Sequence, residues 1–489
     1  MAVRLPGTGP RQRMSDPDVI VIGGGVSGLA AAWWVAQAGY CVEVWEHDAR
    51  LGGKIATRQA DGYQTEHAAS LLRIGPDVSE LLAATGLDAE KICASTPQGQ
   101  RYLVRDGRLV AVPMRAGPLM RSSLWSLRGK LRVLAEPLLP RGGHPDETVS
   151  AFVERRLGRE VLETAMEPFV AGPLASDPDR ASAHAVLPQL VALEQRYGSL
   201  VVGACVRRLL RRGAAPMREM FSFGGGMAAL IGALATASGV RLRPCSTALR
   251  VESAASGWRL TGRTPEGERS TRARQLVLSV PAPAAAALVR PFDAELGHLL
   301  GGVEYAAITV VHLGFDRAAI GHRLDGLGFL VPRSEGLPLT GCQWISSTFP
   351  SRAPRGKALL SCYVGGARSP QARDWSDGRC IDATLAMLDR LLGIRAAPER
   401  VWLDRHAAAL PLYHGAYAGR LQAMAERLRR WPGLHLAANF AGGVSVHDRI
   451  VCARSLARRI DASLAGACPA VPATTPSATR VTALAQGMG

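Results

Sequence analysis

Three glycines and one acid near the start of the chain have the types and spacing to hold a dinucleotide. They lie in Asp18-Val-Ile-Val-Ile-Gly23-Gly-Gly25-Val-Ser-Gly28-Leu-Ala-Ala-Ala and at the end of Cys41-Val-Glu-Val-Trp-Glu46. Gly23 permits a tight turn, Gly25 lets the backbone approach a pyrophosphate, and Gly28 lets the next helix pack closely on the strand. The helix N-terminus then meets the phosphate charge. Glu46 follows Gly28 by 18 residues, where a carboxylate can accept hydrogen bonds from ribose hydroxyls.

A second glycine pair follows in Arg50-Leu-Gly52-Gly53-Lys54. Glycines here let the backbone turn back toward the cofactor, and the basic residue after them can reach phosphate. The lengthened cradle favours FAD over a simple nicotinamide dinucleotide. A third run, Phe221-Ser-Phe-Gly224-Gly-Gly226-Met-Ala-Ala-Leu230, permits close approach either to a flavin or to another helix, and the residues alone leave both open. No metal site is expected, because the nine cysteines include no Cys-x-x-Cys pair. His67, His184 and His414 read as structural or surface residues.

The elements that position these groups follow from periodicity. Val19 to Ile22 is a run of β-branched residues that reads as a strand buried on both faces, and the small residues after Gly28 begin a helix. Residues 76–215 carry apolar positions at helical spacing and read as a helical insertion over the substrate. Continuous or alternating β patterns around residues 308–314, 328–331 and 358–363 predict a second sheet. A strand, a glycine turn at Gly442-Gly443 and a helix to about Leu464 close the fold. The expected division is a flexible leader 1–17, an FAD-binding domain from 18–75, 216–300 and 404–465, the insertion 76–215, a substrate-binding sheet domain 301–403 and a disordered tail 466–489. The fold class is therefore α/β: a discontinuous Rossmann-like FAD-binding domain, a mixed-sheet substrate domain and a helical insertion able to associate with a membrane.

A chain of 489 residues supports two or three domains at roughly 100 to 200 residues each. Its net charge of +17 is spread along the sequence, with a local cluster at Arg207, Arg208, Arg211 and Arg212. No nucleic-acid motif or aromatic interleaving accompanies that charge, so nucleic acid is not expected as a partner. The charge reads first as a solvated basic surface, with attraction to an anionic membrane surface or an acidic substrate as a further reading. No signal peptide and no spanning apolar stretch is evident, which places the protein in the cytoplasm, with peripheral contact at the cytoplasmic membrane face left open.

Placed in order, these pieces resemble the FAD-dependent amine oxidase superfamily and, within it, the protoporphyrinogen and coproporphyrinogen oxidases, from about Asp18 to Leu464. The branch is carried by Glu167-Pro-Phe-Val-Ala-Gly172-Pro-Leu-Ala-Ser-Asp177-Pro, by Ala409-Leu-Pro411-Leu-Tyr413 and by Gly443-Val-Ser-Val-His-Asp448-Arg-Ile450. The resemblance implies that Gly23, Gly25, Gly28, Glu46, Gly52, Gly53 and Lys54 contact the adenosine and phosphates. It places Asn439, Val444 and Ser445 along the flavin, and Arg73 and Gly172 at the substrate. A guanidinium at Arg73 suits a propionate, because its planar fork matches a carboxylate bidentately. The chain departs from the family pattern at Ala68, Ala438, Ala416 and Tyr417.

The resemblance further implies hydride transfer from a porphyrinogen to FAD in heme biosynthesis, with oxygen or another acceptor reoxidising the cofactor, and it leaves room for a homodimer. Protoporphyrinogen IX is the substrate expected first, with coproporphyrinogen III as the alternative. An amine oxidase or carotenoid-type desaturase, and a flavin- or tetrapyrrole-binding protein without turnover, stay open as competing readings. No catalytic acid or base is expected, since the cofactor carries the redox chemistry.

Overall fold

The computed structural model describes residues 16–95, 100–113, 121–122, 124–210 and 219–466. Of the expectations above, the leader to residue 15, the tail from 467, and Arg211 and Arg212 lie outside the described residues.

Every residue of strand Val19–Ile22 is buried. Ile20 and Ile22 join one hydrophobic cluster while Val19 and Val21 join another, so the strand has no wet face and must sit inside a sheet. It is the central strand of five, all parallel, in the order Val240–Arg243, Val42–Trp45, Val19–Ile22, Gln275–Leu278, Leu434–Leu436. Helices Val26–Gln37 and Val446–Leu464 cover the face of Val19 and Val21, and helices Ala282–Val289 and Ala294–Gly301 cover the other. Segments from both ends of the chain therefore share one nucleotide-type sheet. An antiparallel three-stranded unit, Thr247–Ala254, Gly257–Thr264 and Gly267–Ala273, precedes its fourth strand.

A seven-stranded sheet forms the other half of the molecule, in the order Arg400–Pro411, Tyr305–Asp316, Lys357–Gly365, Leu339–Trp344, Gly326–Leu330, Gln100–Arg105, Arg108–Val112. Alternation divides its faces. Val311, Leu313, Phe315, Cys342, Trp344, Leu360 and Cys362 pack with helix Asp377–Leu392, while Ala306, Ile308, Val310 and Tyr363 turn the opposite way. Two boundaries differ from the sequence expectation. The hairpin 100–112 lies inside the segment expected to be helical, yet it extends this sheet through parallel pairing with Gly326–Leu330. Residues 404–411, expected in the FAD-binding domain, finish the edge strand Arg400–Pro411. In both places distant pairing, invisible to local periodicity, decides the membership.

The insertion proper begins at helix Leu127–Leu134 and is held by a buried ion pair between Glu136 and Arg156, whose side chains are wholly covered. Glu136 also accepts hydrogen bonds from Ser199 Oγ and from the Leu200 and Val201 N–H groups at 2.9 and 3.1 Å. It thereby satisfies the free N-terminus of helix Leu200–Leu210. Among the described residues no helix is long and apolar enough to cross a membrane.

Candidate cofactor and substrate site

The glycine turn lies at the carboxyl end of strand Val19–Ile22, where open parallel sheets bind ligands. Gly23 has φ +107°, and a Cβ there would lie 2.6 Å from the Ser279 carbonyl oxygen. A Cβ on Gly28 would lie 2.0 Å from the Gly23 oxygen, so this helix can approach the strand only as glycine. At Gly25 a Cβ would meet nothing within 4 Å: this backbone faces open space, as an incoming phosphate requires.

The second glycine pair folds onto the first. Gly25 and Gly52 form a parallel bridge, the Gly52 N–H donates to the Gly24 carbonyl at 2.8 Å, and a Cβ on Gly53 would lie 3.4 Å from the Gly25 Cα. Arg50 clasps this turn by donating to the carbonyls of Leu51, Gly53 and Ile55. Glu46 accepts from the Gly24 N–H at 2.6 Å and the Asp48 N–H at 2.9 Å, which fixes its carboxylate beside the turn.

Lys54 Nζ donates to the Ala409 carbonyl at 2.7 Å and lies 5.7 Å from the centre of the Tyr305 ring, so it links the second glycine turn to the edge strand of the second sheet. Burial without a carboxylate partner brings its ammonium down to about 8. In the run Gly224 to Gly226, the last glycine packs closely on the hairpin 57–66. A Cβ on Gly226 would collide with Thr57 and Gln64, and the Met227 N–H donates to the buried Glu66 carboxylate at 3.0 Å. Glu66 also binds Thr57 Oγ1 at 2.7 Å and Arg352 at 2.9 Å, docking the hairpin 57–66 between the two halves.

The C-terminal loop reaches the same end of the parallel sheet, because strand Leu434–Leu436 runs parallel to Val19–Ile22. Asn439 lies in the turn after it, Val444 packs on the core, and Ser445 caps the last helix by accepting the Asp448 N–H at 3.1 Å. His447 Nδ1 is 3.0 Å from the Arg73 carbonyl oxygen, which joins this loop to strand Leu72–Arg73. Tyr417 hydrogen-bonds the Phe440 carbonyl at 2.7 Å and packs edge-on against Tyr413. Gly172 ends helix Glu167–Ala171, where a Cβ would lie 2.6 Å from a Leu330 methyl group.

Two buried polar atoms here, Tyr413 Oη and Asp448 Oδ1, have no hydrogen-bond partner among the described residues. Burial raises the Asp448 carboxyl above its ordinary range, although Ser445, Arg449, His447 and Arg73 draw it down. Orphaned donors and acceptors beside an open glycine cradle fit a large polar cofactor lying between the first glycine turn and the C-terminal loop.

Arg101, Gln343 and Tyr363 carry side chains on the sheet face turned away from helix Asp377–Leu392, and sequence reasoning singled out none of them. Arg101 is half-buried with no ion pair or hydrogen bond among the described residues, and burial lowers its affinity for its proton. The signal that could have found it is a lone arginine opening a short apolar run, Arg101-Tyr-Leu-Val. Two surface clefts, of about 430 and 450 Å³, share Pro354 and Lys357, and neither is lined by the glycine cradle, Arg73 or Gly172.

The flavin containing amine oxidoreductase family matches residues 26–461. The mitochondrial protoporphyrinogen oxidase of Nicotiana tabacum is 31% identical over 474 residues, covering 90% of this chain and 94% of that one. The coproporphyrinogen III oxidase of Bacillus subtilis is 28% identical, covering 89% and 97%. A solved structure from Exiguobacterium sp. 255-15, provisionally named a protoporphyrinogen oxidase, superposes with a TM-score of 0.75 at 27% identity, covering 92% of this chain and all of that one. A UDP-galactopyranose mutase superposes at 0.69 with 15% identity, a likeness of fold alone.

Proposed function

Since the chain belongs to the flavin containing amine oxidoreductase family and is an FAD-dependent oxidoreductase, we propose that it oxidises a porphyrinogen, with protoporphyrinogen IX to protoporphyrin IX as the first assignment and coproporphyrinogen III as the alternative. The observation that carries the substrate class is Arg101, a half-buried guanidinium without a protein anion on the face of the second sheet opposite helix Asp377–Leu392. Such a group is suited to a carboxylate brought by the substrate. The names of the relatives from Nicotiana and Bacillus point to the same macrocycle.

In this reading Gly23, Gly25, Gly28, Gly52 and Gly53 hold the FAD phosphates, Glu46 the ribose, and Asn439, Val444 and Ser445 line the ring. FAD held there would supply the hydride acceptor, with oxygen as the acceptor of its electrons. Arg73 and Arg101 orient the propionates, and Gly172, where Leu330 fills the space a Cβ would take, lets helix Glu167–Ala171 close on the second sheet beside the disc. The helical insertion keeps water from the ring while it is oxidised, and no side chain is assigned a catalytic proton transfer. The amine-oxidising alternative draws less support: Phe440 is fully buried and Tyr413 is paired with Tyr417.

Peripheral membrane contact belongs to the same proposal. Among the described residues the large apolar side chains most exposed to solvent, Leu249 apart, all lie in the insertion: Leu127, Leu131, Leu134, Leu138, Val202, Leu209 and Leu210. Leu127, Leu131 and Leu134 share one helix face, with Arg128 and Arg208 exposed nearby in sequence.

The test incubates FAD-loaded protein separately with protoporphyrinogen and coproporphyrinogen and follows porphyrin fluorescence. A rate above autoxidation with at least one is expected, and none with either would sink the assignment. Bound FAD that stays oxidised when porphyrinogen is added anaerobically would favour the non-catalytic reading instead.

A further inference from the structure

We propose that Gln343 is a substrate-orienting hydrogen-bond donor to a carboxylate on the rim of the macrocycle; this rests on the porphyrinogen reading and extends it to a residue outside the family-type motifs. Gln343 lies on strand Leu339–Trp344 between Cys342 and Trp344. Those two neighbours pack in the core with helix Asp377–Leu392, so alternation turns Gln343 to the opposite face. There its Oε1 accepts two hydrogen bonds, from Ser70 Oγ at 3.1 Å and from Tyr363 Oη at 3.0 Å. Ser70 stands three residues before Arg73, so the loop carrying that arginine is tied directly to this glutamine.

With its carbonyl held from two sides, the amide cannot rotate freely. Its NH₂ group presents two donors that no described residue meets. The strand register adds a cation. Gly328 pairs with Gln343 on one side and with Arg101 on the other, so the three occupy one rung of the sheet with no side chain in the middle. At about 4.8 Å per strand the Arg101 and Gln343 backbones stand about 10 Å apart across Gly328. A carboxylate entering that gap can take the guanidinium from one side and the amide from the other.

Steady-state kinetics of FAD-loaded wild type, Gln343→Leu and Gln343→Glu with both porphyrinogens test this. One substrate carries four propionates, and the other replaces two of them with vinyl groups. Gln343→Leu is expected to raise KM by about tenfold with kcat little changed, the size of one lost hydrogen bond to a charged group. Gln343→Glu should raise it further, through repulsion. A rise with the tetracarboxylate alone places the amide at a position that is vinyl in the other substrate, and a rise with both places it at a shared propionate. Either result supports the proposal, while unchanged KM for both in Gln343→Leu overturns it. If wild type turns over neither porphyrinogen, the function above falls on its own, and binding of coproporphyrin III followed through the flavin absorbance still decides: weaker binding by Gln343→Leu supports the role and equal binding overturns it. Gln343→Met replaces Gln343→Leu should the latter not retain FAD.

Discussion

Gly25 and Gly52 face each other as a single parallel bridge, with the Gly52 N–H on the Gly24 carbonyl at 2.8 Å. Two turns separated in sequence are thus one cradle, and its glycines do different work. Gly25→Ala adds a methyl group into open space, so the apoprotein should keep its unfolding midpoint while FAD affinity drops at least about tenfold. Gly28→Ala presses its methyl into the Gly23 carbonyl and should cost the apoprotein about 2 kcal/mol or more. Urea unfolding of both variants, with FAD titration of Gly25→Ala, checks the contrast.

Lys54 provides a test with an unusual sign. Its ammonium, ordinarily near 10.5, is brought to about 8 by burial, so the folded apoprotein binds fewer protons than the unfolded chain between those values. Stability held back at neutral pH should return as pH rises from 8 to 10.5. Lys54→Met should therefore stabilise the apoprotein by about 1–3 kcal/mol at pH 7 and by little above pH 10.5, the lower figure allowing for the lost bond to Ala409. Denaturant midpoints at the two pH values decide.

Asp293 gives the opposite slope. Burial alone would push this carboxyl up, but Arg427, the Leu296 N–H that it caps and Trp431 together hold it at about 2. A depressed carboxylate contributes stability above its unfolded value of 3.8 and loses it as pH falls toward 2. Wild type should lose about 2 kcal/mol across that window. Asp293→Asn, which keeps the cap and removes the charge, should show a flatter acid limb in urea titrations.

The Glu136–Arg156 pair predicts an asymmetry. Arg156→Leu leaves a buried carboxylate and should cost about 3–5 kcal/mol. Glu136→Leu should cost more, because the Leu200 and Val201 N–H groups lose their acceptor as well. The double variant should fare better than Glu136→Leu alone, since it leaves no buried guanidinium without its carboxylate, while still losing the acceptor for the two N–H groups. Chemical denaturation of the three proteins checks the order.

On the insertion, Leu131→Asp combined with Leu209→Asp should abolish sedimentation with vesicles containing anionic lipid while leaving thermal stability nearly unchanged, since both leucines are exposed in the free protein. Equal sedimentation by variant and wild type would argue against that face.

Local chemistry was legible where local chemistry suffices. Gly23 and Gly28 could be read from spacing because a strand, a turn and a helix within a dozen residues define their environment. Arg101 could not, since its strand joins the sheet through Gly326–Leu330, more than two hundred residues later, and nothing within 100–105 signals that partner. Lys54 was read toward phosphate because a basic residue follows two glycines; the nearby Ala409 carbonyl that holds it comes from the far end of the chain.

By itself the sequence determined the buried first strand, the glycine turns, the last helix and the resemblance that joins them to FAD. Each depends on backbone freedom and hydrophobic period over a few residues. Only the tertiary structure decided that Gly226 packs against the hairpin at Thr57, that Lys54 spans the two halves, and that Arg101 and Gln343 flank Gly328 on one rung of the sheet. Those relations are set by strand register between segments hundreds of residues apart, and a one-residue slip would turn either side chain to the other face of the sheet.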